Sequence, residues 1–334
     1  ARLCAALPNI DFIMSFAHPH ESAPERAYLD SFVAMLENST KPIVTTAAGR
    51  AELAEMVEIS RILRGGEAAL REKPYWVHYA EPISPLTHPV PSLDKLLLCA
   101  ETAQPVIYSP APIAGSTAPI SIAGHVVQGL AESFFGLVIH QLAAPGAPFL
   151  MGMGAAVLDM ATGQCSYNAR EYGMADVAMN ERHNYCGIPN GGYAGTSDTQ
   201  IREMQAAFES GLLTYMAAIA GSNLNHDVGY LDFGRSGSLD MIVFQDEVID
   251  QVRRIQKGVP ITGDTLAVDV IREIGGRGHY LTHPHTLKHL RSTQWRPELF
   301  SRMGYEKWEE AGRPAMLDRV CRKTARLLAN HQPR

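Results

Sequence analysis

The feature that most limits the fold of this chain is the regular return of short apolar runs between long amphipathic stretches. Seven such runs begin roughly 30 to 40 residues apart, the length of one strand plus one helix. This spacing favours parallel strands joined by helices over antiparallel hairpins. The predicted strands are Asp11–Ala17, Pro42–Ala48, Tyr75–Glu81, Pro105–Ser109, Pro148–Gly154, Tyr185–Pro189 and Asn223–Gly229.

Helical patterns fill the intervening segments. One is predicted to start at Ser22, and another to run from Ser197 or Asp198 to Gly221. Strand–helix units in this number indicate an α/β fold, a (β/α)8 TIM-type barrel whose first strand would precede residue 1. A doubly wound sheet is the competing arrangement, but the GxGxxG signature that follows its first strand is absent.

The strand rhythm ends near Leu290, and the remaining residues contain Trp295, Trp308 and a closing helical pattern. We therefore expect a barrel domain over residues 1–290, with its N-terminal portion lacking from this chain. Residues 291–334 are predicted to form a C-terminal helical extension that packs on the barrel.

Charge and cysteine usage exclude several classes of protein. The 334 residues have a net charge of −6 and no extended Lys/Arg-rich patch, which argues against nucleic-acid binding. The five cysteines are scattered and include no CxxC pair, as expected of free thiols in the cytoplasm. Polar side chains such as Glu132 interrupt the most apolar stretch, Ser121–Leu142, so no membrane span is predicted.

The carboxyl ends of the predicted strands are where a barrel places its functional side chains. They include Tyr79 and Glu81 after the third strand, Tyr108 in the fourth, and a dense polar group in Ser222–Asp240. Lysine and arginine are almost missing there, which disfavours a phosphorylated substrate. Aromatic faces hold quaternary ammonium groups, so the pattern favours a cationic, partly apolar ligand, although any one ring alone is more often core filler.

Histidine patterns suggest metal chemistry as an alternative. His18 and His20 follow the first predicted strand as an HxH pair, which His226 and Asp227 could complete from the last strand. The HPHTLKH run at residues 283–289 also looks metal-like, but it lies outside the strand rhythm, where helix caps and structural histidines are more common. No GxSxG elbow and no Cys–His neighbour indicates a covalent nucleophile.

Six stretches spread over the chain share a further likeness. They are Leu7–Pro19, Lys41–Ala47, Pro105–Gly124, Pro148–Glu171, Gly229–Ile255 and Ile271–Arg302. Together they resemble the trimethylamine methyltransferase family, which includes pyrrolysine-containing trimethylamine enzymes and pyrrolysine-free relatives acting on quaternary amines such as glycine betaine. The resemblance covers essentially the whole chain, and family members usually run longer at the N-terminus.

The resemblance implies a barrel that moves a methyl group from a methylated amine to the cob(I)amide of a separate corrinoid protein. These residues contain no DxHxxG cobalamin motif, so we expect no tightly bound cofactor and a cobalamin supplied by that partner. All positions are standard residues, which favours a betaine-like quaternary or tertiary amine over trimethylamine. Because a quaternary nitrogen is already cationic, the protein has only to orient it, hold its charge and exclude water.

The expected substrate site combines an aromatic cage, a negative charge and a partner for a betaine carboxylate. No catalytic acid, base or metal ligand is assigned to it, and the position equivalent to pyrrolysine is placed near Asp232–Gly234. The carboxylate partner is sought among His226, Asn223, Asn225, Arg235 and the amides of Gly191–Ser197. The predicted substrate-binding residues are Tyr79, Glu81, Tyr108, Asn223, His226, Tyr230, Asp232, Phe233 and Gly234.

Two other classes of function stay open at this point. A metal-dependent barrel hydrolase would contain stoichiometric zinc and lose its activity with a chelator. A non-catalytic quaternary-amine binding protein would bind betaine without demethylating it. For the methyltransferase we also expect a cytoplasmic homo-oligomer with no nucleic-acid or membrane partner.

Overall fold

Short strands and long helices alternate along the chain in the computed structural model, which describes residues 1–17 and 19–331. The strands are β1 (Ile13–Met14), β2 (Ile43–Thr45), β3 (Trp76–Ala80), β4 (Val106–Tyr108), β5 (Phe149–Met151), β6 (Val157–Leu158), β7 (Cys165–Ser166), β8 (Gly191–Tyr193), β9 (Leu224–His226), β10 (Tyr230–Leu231) and β11 (Ser236–Gly237).

The helices account for most of the remaining residues, together with two short 3₁₀ turns at Pro24–Arg26 and Gly275–Arg277. They are α1 (Arg2–Ala6), α2 (Ala27–Asn38), α3 (Arg50–Arg64), α4 (Glu67–Glu72), α5 (Val90–Thr102), α6 (Ile122–Ala143), α7 (Arg170–Tyr185), α8 (Met204–Ala220), α9 (Leu239–Gln256), α10 (Gly263–Leu266), α11 (Val268–Ile274), α12 (Pro284–Thr293), α13 (Tyr305–Glu310) and α14 (Met316–Asn330).

Seven of the strands run parallel in chain order. β1 to β5 pair successively, β8 pairs with β9, and a parallel bridge between Met151 and Asn190 joins the two groups. Parallel pairing requires a crossover between neighbours, and the helices that follow the strands provide it. Two antiparallel hairpins, β6–β7 and β10–β11, are inserted after β5 and β9.

Alternate side chains of the sheet face two different apolar layers. On the helix side, Trp76 is almost fully buried and packs with Phe32 of α2 at 5.8 Å between ring centroids. On the other side, Val44, Tyr79 and Ile107 form a small cluster that Met14 and Leu224 also contact. Because β1 and β9 both contribute to this inner cluster, the sheet curves until its two ends face one interior.

A large cavity separates the two ends of the curved sheet. Its volume is about 860 Å³, and it is lined by residues 9–17 around β1 and by residues 222–228 around β9. At one end the gap is bridged, because the Tyr230 hydroxyl donates to the Phe16 carbonyl oxygen at 3.2 Å and the two rings lie 4.8 Å apart.

The first five predicted strands and the seventh are confirmed in position, although each observed strand is shorter. The sixth, Tyr185–Pro189, is wrong: α7 continues to Tyr185, the chain turns at Gly187 with φ of +67°, and the strand begins at Gly191. The helix predicted from Ser197 begins at Met204, because residues 197–199 form the loop described below, and it ends at Gly221 as expected.

Among the described residues one helix, α6, is long and apolar enough to cross a membrane by length and composition. Within its 22 residues, an 18-residue stretch has a mean hydropathy of 1.5, and a third of that stretch is buried. Its inward face packs on β4 and β5. There Glu132 is fully buried and accepts hydrogen bonds from the Ser84 hydroxyl and the Leu86 amide. A buried acid held in this way is typical of a helix in the outer layer of a globular fold.

The C-terminal part of the chain packs unevenly. α14 lies against α9 and α1, and Glu247 of α9 accepts hydrogen bonds from the amides of Leu299 and Phe300. Between these anchors, no residue from Arg253 to Glu298 is buried. The domain boundary predicted at residue 290 stays a prediction.

Candidate active site

A pocket of about 320 Å³ lies at the carboxyl ends of the strands, inside the curve of the sheet. Four tyrosines from different parts of the chain line it: Tyr79 near the end of β3, Tyr167 after the β6–β7 hairpin, Tyr193 at the end of β8 and Tyr230 in β10. Glu81, His226 and Asp227 add polar groups. No lysine or arginine is among the described residues that line this pocket.

Tyr79 and Tyr193 form the floor of the pocket. Both are buried, and their hydroxyl groups share a hydrogen bond of 2.7 Å. Burial raises the pKa of each phenol well above its ordinary value, so both stay protonated. Gly154 leaves room for this arrangement, because a Cβ there would lie 2.9 Å from the Tyr193 hydroxyl.

His226 packs between these two rings. Its ring centroid lies 5.1 Å from that of Tyr79 and 4.3 Å from that of Tyr193. Its Nδ1 lies 2.7 Å from Oδ1 of Asp227, which adopts a left-handed conformation with φ of +73°. Burial alone would lower the pKa of His226, but Asp227, with Glu81 and Asp176, outweighs it, so the pKa is raised.

Glu81 stands at the rim of the pocket, where β3 ends. The Glu81 residue is exposed to solvent, yet protein atoms around its carboxyl group raise the pKa of that group by desolvation. The pocket combines two acidic side chains, Glu81 and Asp227, with one imidazole, that of His226. This composition favours a cationic ligand over an anionic one.

Behind Tyr193 lies a buried polar strip on α7. The Tyr172 ring stands edge-on to Tyr193 at 6.0 Å, and Asp176 accepts a hydrogen bond from Asn180 at 3.2 Å through Oδ2. The Tyr172 hydroxyl and Oδ1 of Asp176 have no protein partner. Burial raises the pKa of Asp176 to about 7. Tyr172 thus supports the Tyr193 ring from behind, and Asp176 is one of the acidic groups that raise the pKa of His226.

Tyr167 owes its place to the loop predicted as a helix start. Asp198 accepts hydrogen bonds from the Ser166 hydroxyl at 2.5 Å and from the Tyr167 amide at 3.1 Å. Ser197 donates its hydroxyl hydrogen to Glu209 of α8 at 2.6 Å. These side chains therefore tie the β6–β7 hairpin to the rim and do not cap α8.

Five predicted substrate-binding residues lie together at this pocket. They are Tyr79, Glu81, His226, Tyr230 and Gly234. The other four, Tyr108, Asn223, Asp232 and Phe233, lie elsewhere, for reasons that differ from residue to residue.

Tyr108 points away from the pocket, which corrects its predicted place in the cage. Its neighbour Ile107 faces the inner cluster, so Tyr108 faces the helices, where its ring packs under Gly136 of α6. Its hydroxyl lies 2.7 Å from Nδ1 of His88. Asn223 is also misplaced, because it precedes β9 at the opposite end of the sheet and exchanges hydrogen bonds with Asn190.

Asp232 and Phe233 belong to the outer turn of the β10–β11 hairpin. Both have left-handed backbone angles, with φ of +53° and +55°. Oδ1 of Asp232 accepts a hydrogen bond from Arg235 at 3.0 Å, and the Arg235 guanidinium lies 5.5 Å from the Phe233 ring centroid. Arg235 thus serves this turn and is not among the residues that line the pocket.

Several residues that line the pocket were not among the predicted substrate-binding residues, and those that are aromatic or acidic are Tyr167, Tyr193 and Asp227. Tyr193 ends β8, so correct placement of that strand would have identified it. Asp227 directly follows the predicted His226, at the end of β9. Tyr167 comes from a hairpin whose two-residue strands carry no readable periodicity.

Among the described residues, no cluster of three potential metal ligands lies at the pocket. His20 is exposed, and His18 lies outside the described residues. Asp264, His285 and His289 form such a cluster, far along the chain in α10 and α12.

Comparison with known proteins identifies the family of this chain. The sequence model described as trimethylamine methyltransferase (MTTB) matches residues 1–334, the whole chain. The chain belongs to the trimethylamine methyltransferase family. The resemblance found in the sequence is thereby confirmed, as is the prediction of a methyltransferase at the level of the family.

Individual relatives within the trimethylamine methyltransferase family cover nearly the whole chain. A glycine betaine methyltransferase of Desulfitobacterium hafniense is 30% identical over 336 residues, which is 100% of this chain and 70% of that protein. A trimethylamine methyltransferase MttB of the same species is 27% identical over 332 residues, 99% of this chain and 67% of the relative.

A solved structure supports the fold of this family member. The crystal structure of the Methanosarcina barkeri monomethylamine methyltransferase (MtmB) matches with a TM-score of 0.53 and 14% identity, covering 98% of this chain and 68% of that one. At this identity the likeness concerns the fold alone, an α/β arrangement with a parallel sheet.

Proposed function

We propose that this chain transfers a methyl group from a betaine-like quaternary or tertiary amine to the cob(I)amide of a separate corrinoid protein. The observation that carries the proposal is the 320 Å³ pocket, whose described lining residues include four tyrosines and two acidic side chains but no Lys or Arg. Its volume suits a small ligand, and its aromatic faces and negative charge suit a methylated ammonium group.

The tyrosines hold the cation by their ring faces, where the negative charge of the π system lies. The floor pair, Tyr79 and Tyr193, is fixed by its mutual hydrogen bond, so the rings need no reordering when the amine binds. Each well-placed ring contributes roughly 1–2 kcal/mol to a desolvated ammonium group. Glu81 and Asp227 add attraction over a longer range.

The carboxylate of a betaine needs a hydrogen-bond donor in the same pocket. Of the partners proposed from the sequence, His226 lines the pocket, and its raised pKa favours the protonated, donating form. Thr196 offers a second donor at the pocket wall. Arg235 is excluded by its pairing with Asp232 in the outer turn.

The corrinoid supplies the nucleophile for the methyl carbon. Support for its arrival on a partner comes from the pocket rim, where Glu81 and Gly234 are exposed and leave the interior open to a docking protein. The chain's own residues orient the amine against Tyr79 and Tyr193, hold its charge and exclude water. No acid or base is required, because the leaving amine of a quaternary substrate is neutral.

Completion of the barrel belongs to the same proposal. The 860 Å³ cavity lies between the backbone edges of β1 and β9, where an eighth parallel strand would pair with both. We assign this place to a strand that precedes residue 1 in a longer protein. The C-terminal extension, residues 291–334, would pack on the barrel through α14.

We further propose that the protein is a cytoplasmic homo-oligomer, and the exposed apolar surface of α6 supports the assembly. Val127, Phe135, Val138 and Leu142 on the outer face of α6 are exposed. Such a patch on a cytoplasmic enzyme favours a homo-oligomer, in which a second copy covers α6.

A screen of methylated amines with chemically reduced cobalamin tests the proposed reaction, followed by the absorbance of methylcobalamin. We expect turnover with a betaine-like amine, and a KM raised about tenfold by Tyr193→Ala through the loss of one ring face. Tyr185→Ala is the matched control, because Tyr185 is 84% exposed and outside the pocket.

Two outcomes would contradict the proposal. Amine binding by calorimetry without methylcobalamin formation would indicate a non-catalytic binding protein. Activity that requires zinc and is lost with a chelator would indicate a metal-dependent hydrolase.

A further inference from the structure

The segment between α9 and the C-terminal anchor lacks the usual source of stability. From Arg253 to Glu298 no side chain is buried, although the segment contains α10, α11 and α12. A unit this small that has no apolar core usually depends on a metal, a disulfide or a partner. It contains no cysteine, so the polar contacts between its helices are the remaining source of stability within the segment.

Those contacts converge on Asp264 in α10. Its Oδ2 lies 3.0 Å from Nε2 of His289 and 2.7 Å from Nζ of Lys288, and its backbone oxygen lies 3.0 Å from Nε2 of His285. His285 and His289 are one turn apart on α12, with ring centroids separated by 4.4 Å. This cluster holds α10 to α12, while a contact of 3.6 Å between His283 and Glu273 joins α12 to α11.

We propose that Asp264, His285 and His289 bind a divalent cation of the zinc type, which joins α10 to α12. One ligand atom from each residue lies within 4.8 Å of the other two. Ligands of a tetrahedral zinc ion lie about 3.3 Å apart, so small rotations of the side chains bring the three atoms to the ion. Water fills the fourth position.

The donor set is suited to zinc in its chemistry as well. Two imidazoles and one carboxylate are a common protein ligand set for this ion. Oδ2 of Asp264 already lies 3.0 Å from Nε2 of His289, so the carboxylate faces the imidazole with which it would share the ion.

Lys288 is the competitor for this site. Its ammonium group holds the carboxylate that the cation needs, and the two positive charges exclude each other. The Lys288 side chain is 63% exposed, so it can turn into water when the cation binds and leave no buried charge behind. Removal of Lys288 should therefore strengthen metal binding, whereas removal of a histidine should weaken it.

Untagged protein, stripped with a chelator and dialysed, is titrated with zinc chloride by calorimetry. Cobalt(II) serves as a second probe, with visible absorbance reporting a tetrahedral site. We expect one equivalent of zinc, a Kd raised about tenfold or more by His289→Ala or His285→Ala, and a Kd lowered severalfold by Lys288→Met. His279→Ala is the control, because His279 lies in the same segment and outside the cluster.

Three results would overturn the site: no saturable binding, an equal loss of binding in His279→Ala and His289→Ala, or weaker binding in Lys288→Met. The Lys288→Met arm keeps the test decisive if a histidine variant fails to fold. Methyl transfer is expected to persist in His289→Ala, because the cluster lies outside the 320 Å³ pocket. Failure of this site therefore leaves the proposed function untouched.

Discussion

At the scale of single residues, the hydroxyl pair of Tyr79 and Tyr193 makes a prediction about coupling. Tyr79→Phe or Tyr193→Phe leaves one buried hydroxyl without its partner, which should cost about 1–3 kcal/mol in the free energy of unfolding. The double variant leaves neither hydroxyl, so its cost should be smaller than the sum. Urea denaturation of the three variants measures this, and strictly additive costs would contradict it.

Asp176 makes a prediction about pH. Burial raises its pKa to about 7 in the folded protein, whereas an unfolded carboxyl has a pKa of about 4. The folded state then binds the proton more tightly, so stability decreases as pH rises from about 4 to about 7. We expect Asp176→Asn to be more stable than the wild type near pH 8, by at most about 4 kcal/mol, and to differ little near pH 4.

The measurement for Asp176 is the free energy of unfolding at a series of pH values. Asp269→Asn is a suitable control, because the Asp269 side chain is 94% exposed. A difference between wild type and Asp176→Asn that is the same at every pH would show that Asp176 is not protonated in the fold.

The residue scale also shows why some site residues could be predicted and others could not. Strand ends were identified from the apolar runs, and this was enough to find Tyr79, Glu81 and His226. The face of the sheet on which each side chain lies could not be identified in this way, because strands of a parallel sheet are apolar on both faces and show no alternation of apolar and polar residues. Successive side chains of a strand point to opposite faces, so Tyr79 points inward and Tyr108 outward according to their positions along each strand. The apolar runs do not show which positions face inward.

At the scale of elements, Glu247 links α9 to the C-terminal segment. It accepts hydrogen bonds from the amides of Leu299 and Phe300 within buried surroundings. Glu247→Ala leaves both amides unsatisfied and should cost about 2–4 kcal/mol in unfolding free energy. Glu306→Ala, at an exposed position, should change it by less than about 0.5 kcal/mol.

Limited proteolysis distinguishes local from global loss in Glu247→Ala. If the segment is held mainly by this carboxylate, cleavage should first appear between residues 253 and 298, where no side chain is buried. Equal cleavage throughout the chain would contradict that arrangement.

Elements with a strong apolar run were the ones that the sequence could place. β1 to β5 and β9 contain such runs. The sequence of β8 is Gly-Gly-Tyr, which has almost no strand propensity. The strand was therefore predicted around the apolar Ile188, a few residues too early. Its position is set by pairing with β9.

At the scale of the whole molecule, the open cavity between β1 and β9 makes a prediction about local stability. Each of these strands has one unpaired edge, whereas β3 pairs on both sides. Amide hydrogen exchange in the 334-residue chain should be about tenfold or more faster in β1 and β9 than in β3. A longer protein that supplies the eighth strand should slow exchange in both, and equal protection of all three strands in the shorter chain would contradict this.

The three tryptophans lie in two parts of the molecule, one beside the parallel sheet and two near the C-terminus. Trp76 lies 1% exposed between the sheet and α2, whereas Trp295 and Trp308 both belong to the C-terminal segment. Replacement of Trp295 and Trp308 by Phe leaves one indole, whose emission reports the sheet alone. Fluorescence of the two proteins, recorded side by side, would then time the unfolding of the sheet and of the C-terminal segment separately, with no added dye.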